Sequence, residues 1–294
     1  MSALAAKLAR LKAEAGVSVA TPMRLASVSA SAAVGDSLGI DKPLPPRSPV
    51  PEQLRKLLGI RARAEAPGTI APPREVDRVL VGDEIADGLR YVEHWSPWPP
   101  APETIDLHGI GLDCIARHDF LAFDTETTGL AGGTGTRAFM IGASDWRDGG
   151  LRTRQLYIST MAAEASMLRE FAAWLNPDTV LVSYNGKSYD RPLLSTRYRL
   201  ARLDDPVLGR KHVDLLHPVR RRHRGQWENC RLATVERQLL GVIREDDLPG
   251  SEAPRAWLDF IKGGSARNLR RVAHHNHQDL TSLAALLLRF DGGA

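Results

Sequence analysis

Three short segments combine residue types suited to metal-assisted hydrolysis. In the first, the apolar run Phe120–Phe123 leads into Asp124-Thr125-Glu126. Residues two apart in a strand face the same side, so both carboxylates project together. Two acids at the end of an apolar strand are costly unless neutralised, and hard divalent ions such as Mg²⁺ or Mn²⁺ neutralise them well. Taken alone, such a pair is more often a solvated strand end. The second segment, Ser183-Tyr184-Asn185-Gly186-Lys187-Ser188-Tyr189-Asp190, follows the β-rich run Thr179–Val182 and enters a helix opening Asp190-Arg191-Pro192. Proline suits a first helical turn and an acid just before it suits capping, so Asp190 is either a site acid or an N-cap. The third is His274-His275-Asn276-His277-Gln278-Asp279. His275 and Asp279 share a helix face at i and i+4, close to the apolar stripe of Leu269, Val272, Leu280, Leu283 and Leu287. A carboxylate there needs a cation or a donor; a helix-surface His–Asp pair is the plainer alternative.

The elements that must position these residues follow from periodicity. Residues 118–124 and 137–145 are apolar runs of strand length on either side of a Gly/Thr-rich stretch, and residues 151–158 read as a third strand. Met167, Leu168, Phe171 and Leu175 have helical spacing. Residues 189–200 are expected to be helical, 212–216 a further strand, 229–241 a helix closed by Gly241, and 266–291 the longest helix. Strands followed by strand–helix alternation predict a mixed α/β domain over residues 115–292, with helices against a central sheet. Ahead of it, residues 76–114 are expected to form a small subdomain. Its two strands would flank the turn-prone Gly82–Gly88, and Trp95 and Trp98 would pack it on its neighbour rather than stack on bases. Leu4, Leu8 and Leu11 suggest a short helix at the start of a region, residues 1–75, that is otherwise rich in Ser, Ala, Gly and Pro and reads as a flexible linker.

Composition narrows the classes. With 294 residues, 25% charged and 43% hydrophobic, the chain reads as an ordinary globular protein, and a net charge of +4 is compatible with a polyanionic partner. The two cysteines, Cys114 and Cys230, form no CxxC pair, which argues against a disulfide framework or a structural zinc site. Neither a membrane span nor a secretory signal is expected, so the default location is the cytoplasm.

Together and in this order, FDTETTGL, YNGKSYDRPLL and HHNHQD resemble the three motifs of DEDD-type 3′–5′ exonucleases. The span 115–292 is most similar to the YprB-type branch of bacterial RNase H-like proteins, and the likeness continues through HVDLLHPVRR, NCRLATVERQLLG and IREDDLPGSEAP. The resemblance implies an RNase H-like mixed central sheet flanked by helices. It also implies two divalent cations, Mg²⁺ or Mn²⁺, held by Asp124, Glu126, Asp190 and Asp279. In such a site Asp124 bridges both ions, Glu126 and Asp279 complete one, and Asp190 holds the other. The base that orients or deprotonates the water stands four or five residues before the last Asp, which fits both His275 and His274; helix geometry favours His275, and an imidazole of pKa about 6.5 suits the role. Thr127, Thr128 and Leu130 would line the pocket of the terminal nucleotide.

Asn185, Lys187 and Arg191, beside Asp190, are expected to reach the substrate. Residues 210–231 hold seven Lys/Arg and two acids, a phosphate-contacting surface or else a solvated loop. Asp214 within it is either a further site acid or a charge partner. The expected function is metal-dependent removal of nucleotides from single-stranded 3′ ends, DNA or RNA, with residues 1–100 available to a protein partner. The rivals are a nuclease fold that binds or scaffolds nucleic acid without turnover, and a structure-dependent endonuclease.

Overall fold

The computed structural model describes residues 76–129 and 134–293. The expected amino-terminal helix and linker, and Leu130, lie outside them. The strands are β1 (Asp83–Ala86), β2 (Leu89–Pro97), β3 (Thr104–Asp106), β4 (Cys114–Ala116), β5 (Phe120–Thr127), β6 (Ala138–Arg147), β7 (Gly150–Ile158), β8 (Val180–Ser183) and β9 (His212–Asp214). Seven of them form one sheet in the order β1-β2-β7-β6-β5-β8-β9, and β3 and β4 make a separate hairpin. Pairing is antiparallel from β1 to β5 and parallel from β5 through β8 to β9. The helices are α1 (Glu164–Ala173), α2 (Asp190–Leu200), α3 (Leu216–His223), α4 (Leu232–Val235, running into a π-helical turn Glu236–Leu240), α5 (Ala253–Ile261) and α6 (Arg267–Leu288).

Alternation along β5 explains the layering. Leu121 and Phe123 face a core shared with Phe171 of α1, Leu194 of α2 and Trp257 of α5. Phe120 and Ala122 face a second core with Val213, Leu283 and Leu287. A strand covered on both faces reads as an unbroken apolar run, as this one does until its acids. The 22-residue α6 takes part in both cores, through Leu269 and Val272 near its start and Leu283, Leu286 and Leu287 near its end. Burying each such side chain contributes about 2 kcal/mol. Gly142 of β6 lets α6 approach: a Cβ there would stand 2.1 Å from Asn276 Oδ1 and 2.7 Å from Leu280 Cδ1.

Three details of the fold go beyond the sequence expectations. Residues 76–114 contribute to the main sheet, where β2 pairs with β7 over nine residues. Residues 83–86, expected within a turn, are themselves β1. The turn contracts to Asp87-Gly88, with Gly88 at φ 69, a left-handed conformation that glycine takes without steric cost. The basic segment after β9 forms helix α3, so it is the solvated-loop alternative that does not hold; Leu216, Pro218 and Val219 bury one face of the helix. Trp98 packs edge-on against Trp146 at 6.4 Å, in line with the packing role expected of it.

Candidate active site

Parallel pairing sets β5, β8 and β9 side by side with their carboxyl ends at one edge of the sheet. Asp124 and Glu126 lie on the last turns of β5's pleat, where the register with β6 shifts between Glu126 and Thr127. Ser183 ends β8, and the loop that follows delivers Asp190. Asp214 ends β9, and its carboxylate accepts hydrogen bonds from the backbone N–H of Asn185 (2.7 Å), Lys187 (3.0 Å) and Leu216 (3.1 Å). It therefore shapes the loop, a different task from the site acid or charge partner expected of it. Asn185 adopts the left-handed region at φ 69, which asparagine tolerates. Gly186 lies so close that a Cβ would meet Ser183 Oγ at 2.5 Å and Asp190 Oδ2 at 3.0 Å. Below the loop, Ser183 Oγ is 2.8 Å from His212 Nε2, and burial lowers that imidazole to about 4, keeping it neutral.

Asp190 is the first residue of α2, and the N-cap is Tyr189, so the capping role does not hold. Its Oδ1 instead accepts a hydrogen bond from Thr125 Oγ1, between the two β5 acids. Asp124 Oδ2 accepts from Asn276 Nδ2 at 2.9 Å, and Asn276 Oδ1 in turn accepts from Gln155 Nε2 at 2.8 Å. Gln155 also donates to the Ala273 carbonyl at 2.7 Å. This buried chain from β7 through α6 fixes the orientation of Asp124.

Asp279 belongs to a second network. Arg244 donates to Asp279 Oδ1, and to both oxygens of Glu236 at 2.6 and 2.7 Å. Glu236, on the π-helical turn, is fully buried and also accepts from Ser282. His275 Nδ1 is 2.7 Å from Asp247 Oδ1 and 3.0 Å from an Arg244 nitrogen. One ring nitrogen cannot donate to the first and accept from the second; the shorter contact, to a carboxylate, puts the proton on Nδ1. In the neutral ring Nε2 is then the acceptor, 3.6 Å from Asp279 Oδ2. His274 is exposed on the neighbouring face of α6.

Burial followed by mutual repulsion raises the acids' affinity for protons. Asp124 and Glu126 are pushed well above the usual carboxylate range by burial first, then by Asp279 and Asp190. Burial takes Asp190 up to about 6, against the hydrogen bond from Thr125. Asp279 is also raised by burial, with His275 and Arg244 opposing. Four hard oxygen donors, of which only Asp279 is ion-paired among the described residues, are the donor set that Mg²⁺ or Mn²⁺ prefers. Among the described residues, the three ligand groups that lie within 4.8 Å of one another are Asp106, His108 and Cys114, on the solvent-exposed β3–β4 hairpin. Of the site acids, Asp279 already accepts a hydrogen bond from Arg244.

Beside the acids a cavity of about 310 Å³ is lined by Thr125, Thr127, Asn185, Tyr189, Asp190 and Leu193. Tyr189 is 62% exposed at its rim. A larger cleft of about 710 Å³ lies at the opposite end of β8, against Thr179 and Val180, away from the acids. Thr127 and Asn185 thus reach the cavity, whereas Thr128 Oγ1 accepts the Arg137 N–H and closes the β5–β6 connection. Lys187 is exposed and Arg191 half-buried beside Asp190.

Sequence reasoning missed Thr125, Asn276, Gln155, Glu236, Arg244 and Asp247. Arg244 and Asp247 stand in IREDDLPGSEAP, a segment whose resemblance was noted without a role for any residue in it. The buried polar partners left no periodic signal.

Comparison with known proteins agrees with this architecture. The model for the RNase_H superfamily matches residues 121–290. The uncharacterized protein YprB of Bacillus subtilis (strain 168) is 36% identical over 182 residues, 62% of this chain and 44% of its own length. The chain thus spans less than half of that relative. Among solved structures, the family B DNA polymerase of the archaeon Pyrobaculum calidifontis aligns with a TM-score of 0.45 and 19% identity, over 58% of this chain and 24% of the polymerase. Exonuclease I of E. coli in complex with a dT13 oligonucleotide aligns with a TM-score of 0.37 and 16% identity, over 55% of this chain and 45% of the exonuclease.

Proposed function

The chain belongs to the RNase H superfamily, and on that premise we propose that it is a metal-dependent 3′–5′ exonuclease acting on single-stranded nucleic acid. What supports this reading is that Asp124, Glu126, Asp190 and Asp279, from β5, α2 and α6, feel one another's charge beside a cavity with an exposed aromatic rim. These four acids would hold two Mg²⁺ or Mn²⁺ ions. Bound there, the ions supply an activated water and positive charge against the scissile phosphate.

The chain's own residues do the rest. His275, with its Nδ1 proton committed to Asp247, presents Nε2 to accept a proton from the attacking water. Thr127, Asn185 and Tyr189 receive the terminal nucleotide, the tyrosine ring offering a face on which any base can stack. Lys187, Arg191 and the exposed Arg220 and Arg224 near α3 bind the phosphate backbone. Arg222 is otherwise engaged, over the Phe290 ring at 4.8 Å. Contacts of this kind read charge and stacking rather than base edges, so sequence preference should be weak.

The test is a time course on 3′- and 5′-labelled DNA and RNA oligonucleotides with Mg²⁺, Mn²⁺ or EDTA, beside Asp124→Asn. A ladder shortening from the 3′ end, absent with EDTA and in the variant, is expected. Cleavage of a circular strand would make the protein an endonuclease. Salt-sensitive binding with no cleavage would leave a nucleic-acid-binding module.

A further inference from the structure

One guanidinium, that of Arg244, is shared among three carboxylates. Its Nε and one terminal nitrogen grip Glu236 in a two-bond fork, 2.7 and 2.6 Å. The same terminal nitrogen donates to Asp279, and the other terminal nitrogen lies 3.4 Å from Asp247 Oδ2. Glu236 is 0% exposed, is further held by Ser282, and sits on a π-helical turn, an irregularity that often marks functional positions. A buried fork of this kind already balances one positive charge with one negative charge. The bond to Asp279 is therefore surplus: Arg244 can release Asp279 and remain seated on Glu236. Asp279, the strongest charge acting on both Asp124 and Glu126, thus already spends one oxygen on Arg244.

We propose that Arg244, anchored by Glu236, is a resident cation that holds Asp279 in the metal-free protein and must be displaced for an ion to be shared by Asp124, Glu126 and Asp279. The proposal rests on the metal-centre reading above. It makes Arg244 a positioning residue that sets how tightly the site takes metal. The Glu236–Arg244 pair leaves Asp279 partly neutralised until an ion arrives. The ion sharing Asp279 should accordingly bind more weakly than the four carboxylates alone would dictate.

The experiment is calorimetric titration of the full metal-free chain with Mn²⁺, without nucleic acid. In Arg244→Met combined with Glu236→Gln, the fork is replaced by neutral side chains of similar size, and neither half of the fork is left as an unpaired charge. Mn²⁺ affinity should then rise about tenfold or more, since a positive charge in contact with the ligand set is gone. Glu236→Gln alone should do the reverse and weaken Mn²⁺ binding, because Arg244 loses its counter-charge and holds Asp279 harder. Unchanged or weaker binding in the double variant, or unchanged or tighter binding in Glu236→Gln, overturns the proposal. Should the double variant fail to fold, the sign of the Glu236→Gln effect decides. Asp124→Asn separates the two levels. If it binds Mn²⁺ as the parent does, the metal centre itself is misassigned. If it loses Mn²⁺ while the Arg244 and Glu236 variants match the parent, only the role of Arg244 fails.

Discussion

Replacing Asp190 with asparagine should stabilise the metal-free protein at neutral pH, although it damages the proposed site. Burial lifts this carboxyl from 3.8 to about 6. Below 3.8 the group is protonated in both folded and unfolded chains and has no effect on stability. Between the two values the folded protein keeps the proton and the unfolded chain does not, so stability falls as pH rises. Above about 6 the full penalty applies, about 3 kcal/mol for a displacement of this size. Asparagine keeps an oxygen to accept the Thr125 hydroxyl and carries no charge to bury. The gain corresponds to a rise in Tm of roughly 6–12 °C for a domain of this length. Thermal melts in EDTA at pH 7.5 and pH 4 read it directly: a higher Tm for Asp190→Asn at pH 7.5, converging with the parent at pH 4. Adding Mn²⁺ should raise the parent by mass action and the variant much less. A variant that melts at or below the parent at pH 7.5 in EDTA would refute the claim that Asp190 is a buried carboxylate lacking its natural counter-charge.

Three further outcomes are expected. His275→Ala should lower the cleavage rate by roughly 10²–10⁴-fold near neutral pH, and His274→Ala far less; the opposite ranking in single-turnover assays would move the base to His274. Asn276→Leu leaves Asp124 and Gln155 without their shared partner. It should weaken Mn²⁺ binding by about 10–100-fold, measured by calorimetry on variant protein with a cooperative melt. Gly142→Ala places a methyl against Asn276 and Leu280 of α6, and a loss of about 1–3 kcal/mol in denaturant unfolding is the expected cost of that overpacking.

The acids were legible because each stands at a junction the sequence marks: an apolar run ending in D-x-E, a polar loop entering Asp-Arg-Pro, a helical stripe interrupted by His275 and Asp279. The strands β5 to β8 and the helices α1, α2 and α6 carried clear periods, and the mixed sheet followed. Other features depend on tertiary contact. β1 is four residues with every side chain exposed, and it exists only through its pairing with β2. Helix α3 hides its few apolar residues among arginines. Arg244 looks like any surface cation until the π-helical turn brings Glu236 beneath it, and Asp214 looks like a catalytic acid until the backbone of the 185–187 segment is seen to fold around it.

The long β2–β7 pairing has a practical consequence for dissecting this protein. A fragment beginning near residue 115, where the catalytic motifs begin to gather, would strip β2 from β7 and leave a row of nine residues whose backbone donors and acceptors had been partnered. Such a bare border recruits strands from other molecules. With residues 83–97 present the border falls instead on β1, which is short, interrupted by a register shift, carries Asp83 and Glu84 and is followed by Asp87. These are features that discourage stacking of one copy on another. Residues 83–97 therefore act as a selvage for the sheet, and a shortened chain that precipitates would be reporting their loss rather than a fault in the proposed site.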